Sequence, residues 1–352
     1  MIVVTYGKDI AKNTYDTLTA SDIKSYLNAD FSVSIKPNLV VARPASGGAT
    51  THPEVIEGTI LFLKDFGVKR IKIIESSWVG DSTKRAFKIC GYEELSRKYN
   101  IPLVDLKSDN CAVREYDKYK IEICNEALNT DFLINVPVLK AHCQTRFTCC
   151  MKNLKGCISD DEKRRFHSLG LHKPIAVLNA LVKTGYCVVD GICGDLSFEE
   201  GGNPVESNRI IAGRNPLTVD TYCAELIGYK PDEIGYLSYA KNLNIGEYYS
   251  PKTKIIEINP QNKPVREIKG GRTADRYNNI IEEDSACSAC YSSLIYALHR
   301  SSGKIKNSGK IYIGQGFKNK KGEGFGVGNC TSGFSKCVQG CPPKATDIID
   351  AL

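Results

Sequence analysis

Apolar residues in the first two hundred positions come in short blocks separated by polar stretches of helical period, the pattern of buried strands alternating with covering helices. Residues 31–35 lead into Lys36-Pro37-Asn38 and then an apolar 39–41, an interrupted run that reads as a buried strand. Residues 43–50 are rich in Gly, Ser and Ala and predict a loop. Thr51 or His52 then caps a helix that opens on Pro53 and stops at Gly67, since proline has no N–H to lose in a first turn and glycine accepts a left-handed end. The unit repeats as a strand over 69–75, a helix around 85–99, and strands over 102–106 and 131–139. Beyond these, the pattern predicts a strand ending at Asp190, a turn-rich loop over 197–204, a short strand over 209–213 and a helix from Leu217 to Gly228. The polar stretch 238–271, strand-like at 254–258, reads as a connection to the C-terminal part of the chain.

This alternation implies an α/β fold, a mostly parallel sheet covered by helices, with ligands at the carboxyl ends of the strands. The end of strand 131–139 delivers Lys140 and His142, followed by Lys152-Asn153-Leu154-Lys155-Gly156 and His167, so that three of the five histidines fall within 31 residues. Lys140, Lys152, His142 and His167 are therefore candidate catalytic residues, the lysines for charge and the histidines for a proton. Lys36, Asn38, Asn153 and Lys155 are candidate ligands for carboxylate or phosphate oxygens, and capping a strand end or pairing with a carboxylate is the structural alternative for them. His52 reads as part of a helix cap, His172 and His299 as packed or solvated, and 162–165 as an exposed helix face. Glu75 and Asp190 suit either acid–base work or a simple pairing with a neighbouring cation.

The last stretch has a different character. Five of the fifteen cysteines fall within the 55 residues from Cys287 to Cys341, starting with Cys287-Ser-Ala-Cys290 and ending in Gly340-Cys341-Pro342-Pro343. A CxxC pair turns two thiolates toward one centre, a geometry that suits an iron-sulfur cluster and zinc alike. The cysteine followed by proline favours a cluster, because proline fixes the backbone and removes a donor. Glycines 314, 316, 322, 324, 326 and 328 let the chain wrap closely. Disulfides fit poorly with an odd count and no secretory leader. Cys143, Cys149, Cys150 and Cys157 lack CxxC spacing and read as core thiols.

Gly340-Cys341-Pro342-Pro343 and the residues after it resemble the turn and short helix that deliver one cluster ligand in the small subunits of nickel-iron hydrogenases and a related quinone-reductase subunit. That resemblance implies Cys341 as a ligand of a 4Fe-4S cluster, with Cys287, Cys290 and Cys330 as the other three and Cys337 as the alternative. A longer resemblance spans about residues 30–230. Lys36-Pro37-Asn38, the Glu75 loop, Lys140-x-His142, Lys152-Asn153-Leu154-Lys155-Gly156, His167, Asp190-Gly191 and Gly201-Gly202-Asn203-Pro204 together resemble domain-of-unknown-function family 362. Its members are frequently attached to iron-sulfur modules, which supports the cluster and implies no particular reaction.

The expected division is an α/β domain over 1–275 and a small cysteine-rich iron-sulfur module over 276–352. A net charge of +7, from 47 basic and 40 acidic residues, favours an anionic small molecule or an acidic redox partner protein over nucleic acid. There is no apolar run long enough for a membrane helix, no Gly-x-Gly-x-x-Gly, no Walker loop and no internal repeat in view. The expected function is that of a cytoplasmic iron-sulfur protein coupling a 4Fe-4S cluster to a basic anion-binding crevice. The alternatives are a non-redox enzyme acting on a phosphate or carboxylate compound, with a structural zinc module, and an electron-delivery partner of a larger complex.

Overall fold

The computed structural model describes residues 1–264, 268–301 and 309–352. Its centre is an eight-stranded sheet ordered Ile255–Ile258, Ile2–Tyr6, Pro204–Gly213, Tyr186–Asp195, Phe132–Val136, Ser32–Pro37, Arg70–Glu75 and Leu103–Asp105. All neighbours run parallel except Pro204–Gly213, which is antiparallel to both of its partners. Successive strand residues alternate between two apolar layers. Leu133, Cys187, Val189 and Ile211 pack in one, while Phe132, Ile134, Val188 and Ile210 pack in the other. Alternation sends neighbouring side chains to opposite faces, and helices cover both faces, so these strands read as unbroken apolar runs.

Several boundaries differ from expectation for identifiable reasons. The strand expected over 31–41 stops at Pro37, because Asn38 N–H donates to Thr51 Oγ1 and Leu39 N–H to the Glu75 carboxylate, which turns the chain out of the sheet. The helix Pro53–Phe66 closes as expected on Gly67, at φ 100°. The single helix expected around 85–99 is two, Thr83–Ile89 and Tyr92–Tyr99, parted by Gly91 at φ 80°. The strand expected over 209–213 is ten residues long and pairs with Cys187 through Asp195, with a register shift between Gly191 and Cys193. Ile255–Ile258 is an edge strand of the main sheet, paired with Ile2–Tyr6, and not a connection. The hairpin of Cys111–Tyr116 and Tyr119–Cys124 lay outside the strand–helix alternation altogether.

A second sheet has four parallel strands: Ile281–Glu283, Ile311–Ile313, Gly322–Val327 and Phe334–Val338. Helices Ser288–Arg300 and Ala345–Ala351 pack on it through Leu294, Leu298 and Ile348, and Cys143 and Phe198 of the first part join the same apolar cluster. The last three strands form a stacked repeat that was not visible in the sequence. Each leads into a glycine with positive φ (Gly314, Gly328 and Gly340), and the first two of these glycines open short 3-10 turns. A Cβ on Gly314 would sit 2.0 Å from Asp284 O, so only glycine fits there. Gly316, Gly322 and Gly326 lack a positive φ and are instead positions of close approach, as where a Cβ on Gly326 would lie 2.6 Å from Thr331 Oγ1.

Candidate functional site

The carboxyl ends of Ser32–Pro37, Arg70–Glu75 and Phe132–Val136 open onto a cavity of about 290 Å³ whose far wall is built by the C-terminal unit. Lys36, completely buried, places Nζ 3.0 and 3.1 Å from the two oxygens of Glu75. Gly156 lies against this pair, where an added Cβ would be 2.1 Å from Glu75 Oε1. Asn38 Nδ2 donates to Asn153 Oδ1 at 2.9 Å, and Asn153 Nδ2 donates to Asn135 Oδ1 at 2.8 Å. Lys140 Nζ is held by Ala49 O at 2.6 Å, Glu199 O at 3.0 Å and Asn38 Oδ1 at 3.2 Å. Lys36, Asn38, Asn153 and Lys140 are thus brought together as expected, but they bind one another and the backbone. They are the floor that shapes the cavity.

Lys152 and Lys155 differ. Lys152 Nζ meets Thr148 Oγ1 at 3.3 Å and Lys155 Nζ meets His167 Nε2 at 3.4 Å, and among the described residues neither has a carboxylate partner. The helical turn Cys150–Asn153 and the 3-10 turn Leu154–Cys157 carry both to the cavity wall. Burial, then the proximity of Lys155, holds Lys152 well below the usual lysine value. Burial and Lys163 bring Lys155 down to about 7. Two buried lysines that give up their protons easily, facing one space, make a place where a bound anion would restore the charge.

His142 has a fixed tautomer. Its Nδ1 accepts N–H bonds from Gln144 at 3.1 Å and Thr145 at 3.3 Å, so the proton of the neutral ring is on Nε2. That Nε2 points toward Glu199 Oε1 at 3.5 Å, and Glu199 Oε2 accepts from Cys143 N–H. Burial, and after it the charges of Lys152 and Lys155, keep His142 and His167 well below ordinary histidine values. The ring of His142 therefore presents Nε2–H as its donor, and its Nδ1 is occupied by two backbone amides. His167 lies on the same wall, with Nδ1 unpartnered.

The C-terminal unit brings Cys287, Cys290 and Cys341 to the cavity wall. Cys330 lies near them: burial first, then Cys341 and Cys330, raises Cys287, and burial with Cys287, Cys341 and Cys330 pushes Cys290 up to about 12. Gly328, at φ 93°, lies beside this thiol, with an added Cβ at an ordinary contact distance of 3.8 Å from Cys290 Sγ. Cys337 Sγ is engaged elsewhere, 3.5 Å from Thr331 Oγ1 and 3.6 Å from Gly328 O.

Residues that the sequence did not single out complete the wall. Trp78, Glu199 and Glu200 line it from loops, and Lys163, expected on an exposed helix face, is buried with Nζ on Ser77 O at 2.7 Å and Asp160 at 3.0 Å. The Glu199-Glu200 doublet in a turn-rich loop was the available signal. Asp190 is not at the cavity. Its carboxylate takes the backbone N–H of His52 at 2.7 Å and His52 Nδ1 at 2.8 Å, so His52 clamps a strand end in addition to opening its helix. His172 stacks on Tyr236, and His299 packs against Phe198. Cys149, Cys150 and Asp220 have ligand atoms within 4.8 Å of one another in the core, where Asp220 caps the turn by accepting from Cys150 and Met151 N–H.

The fold and site define an α/β protein with a mainly parallel sheet and a lysine-rich cavity closed by a cysteine-bearing unit. Residues 33–225 match the model of the domain of unknown function DUF362, and the chain belongs to that family. It is 24% identical over 224 residues to the thylakoid-associated protein sll1697 of Synechocystis, an alignment covering 60% of this chain and 68% of the relative. Among solved structures, the lactate racemase apoprotein of Thermoanaerobacterium thermosaccharolyticum is similar at TM-score 0.43 and 12% identity, covering 88% of this chain and 68% of that one. A protein from Thermotoga maritima gives TM-score 0.36 and 12% identity, over 52% of this chain and 51% of that one.

Proposed function

We propose that the protein is a cytoplasmic iron-sulfur redox protein in which a 4Fe-4S cluster, held by Cys287, Cys290, Cys330 and Cys341, exchanges electrons with an anion bound in the adjoining cavity. The observation that carries this reading is that three of those thiols and the two carboxylate-free lysines, Lys152 and Lys155, line one space. A cluster there supplies single electrons; the rest is the work of the chain's own side chains. Lys152 and Lys155 neutralise the anion, His142 Nε2–H donates to it or to Glu199, and the enclosing wall keeps water from competing for these bonds.

The proline that follows Cys341 supports a cluster over a single zinc ion, since it fixes the backbone and removes a donor beside the thiol. All fifteen cysteines are free thiols, as a reducing compartment requires, and among the described residues no helix is long and apolar enough to cross a membrane.

Anaerobic purification followed by iron, sulfide and zinc analysis tests the reading. Iron and acid-labile sulfide in equal amounts, lost together in Cys287→Ser or Cys341→Ser, is the expected result. Zinc at one per chain without sulfide would replace it with the zinc-module enzyme.

A further inference from the structure

The cavity wall has an apolar side as well as a cationic one. Trp78, the only tryptophan of the chain, lines it together with Val40, Val79 and Pro342. The position of Trp78 is fixed from three directions. Its N–H donates to Val40 O at 3.1 Å, its carbonyl accepts from Lys107 Nζ at 2.9 Å, and its ring folds over Gly80, where an added Cβ would be 2.8 Å from Cζ2.

From these features we infer that the cavity takes an aromatic carboxylic acid, with its carboxylate between Lys152 and Lys155 and its ring against Trp78 and Val79. An aromatic body suits Trp78 because offset and edge-on ring contacts add to simple area burial. The volume of about 290 Å³ is at the small end for ligand cavities and matches a single-ring acid better than a nucleotide. A carboxylate can take both lysines, and unlike inorganic phosphate it comes with a body that can cover the apolar side of the wall. This inference rests on the reading of the cavity as the substrate site and is independent of whether the neighbouring thiols hold iron.

The test uses the full chain, purified anaerobically, with 4-hydroxybenzoate, benzoate, cyclohexanecarboxylate and inorganic phosphate as probes. Calorimetry gives affinities, and the emission of Trp78 reports occupancy of its own surroundings. The expected order puts the two aromatic acids, 4-hydroxybenzoate and benzoate, first, about tenfold or more tighter than cyclohexanecarboxylate or phosphate. Trp78→Leu should remove that aromatic preference while cyclohexanecarboxylate binding stays within about threefold, and Lys152→Met should weaken all three carboxylates by about tenfold or more. Phosphate binding as tightly as 4-hydroxybenzoate, or a normally melting chain that binds no aromatic acid, overturns the inference. Acid binding by iron-free protein would sustain it while removing the electron-transfer reading. Iron and sulfide without acid binding would do the reverse.

Discussion

Lys36 Nζ lies 3.0 Å from Glu75 Oε1 at the adjoining ends of two parallel strands, both side chains out of contact with solvent and Gly156 packed onto them. The charges cancel where neither could be hydrated, so Lys36 is committed to Glu75 and has little left for a ligand. Breaking such a pair from one side leaves a buried charge uncompensated. Lys36→Met should therefore cost about 3–5 kcal/mol in denaturant unfolding, with part of the loss recovered in Lys36→Met/Glu75→Gln, which removes the unpaired charge and keeps an oxygen for the Leu39 N–H. Unchanged stability with lost anion affinity would make Lys36 a ligand residue after all.

Cys330 and Cys337 can be told apart by their surroundings. Cys330 bears on the thiols of Cys287 and Cys290, whereas Cys337 faces Thr331 Oγ1 and Gly328 O. Under the proposed 4Fe-4S assignment, Cys330→Ser should lose the visible absorption and most of the iron, and Cys337→Ser should keep both. The opposite pattern would exchange their roles.

Glu200, on the cavity wall, is lifted from 4.5 to about 7 by burial and by Glu199, against the pull of Arg43 and Lys140. A carboxyl group with a raised folded-state value binds its proton more tightly when folded. Its stabilising contribution is complete below pH 4.5 and is lost as pH rises toward 7. The shift corresponds to about 3 kcal/mol as an upper figure. Unfolding free energies of the parent chain minus those of Glu200→Gln should fall across that interval, and a flat difference would show that Glu200 is solvated. His52 adds to the trend at higher pH. Burial lowers its value, but Asp190 outweighs burial and leaves it above 6.5, so the clamp on the strand end weakens as pH climbs past that point.

The strand–helix alternation was legible because both layers of the main sheet are apolar, and residues such as Val188 and Val189 are buried whichever face they meet. Lys140, His142, Lys152 and Lys155 were legible as residues lining the cavity because they follow the end of a buried strand. Their division of labour was not. That Lys140 is tied up by Ala49 O and Glu199 O, while Lys152 is not tied to any acid among the described residues, depends on loops 91 and 59 residues away from Lys140 in sequence. Gly91 and Asn38 show the limit of periodicity: one left-handed residue divides a helix, and one hydroxyl at Thr51 ends a strand. Trp78 gave no signal at all, since a lone aromatic in a polar loop looks the same whether it covers solvent or a ligand.

The tautomer of His142 is a consequence of two backbone amides, and it can be measured. With Gln144 and Thr145 N–H both directed at Nδ1, protonating that nitrogen would set three donors against one another inside a buried site. Nitrogen-15 spectra of labelled histidine should show His142 as the Nε2–H form, unchanged as pH falls below 6.5, while ordinary exposed imidazoles titrate. Glu199→Gln removes the carboxylate whose Oε1 faces Nε2 at 3.5 Å, without disturbing the backbone bonds, so the tautomer should persist in that variant. An imidazolium signal from His142 above pH 6.5 would mean that the amides do not hold Nδ1, and would restore His142 as a proton carrier in place of a fixed donor.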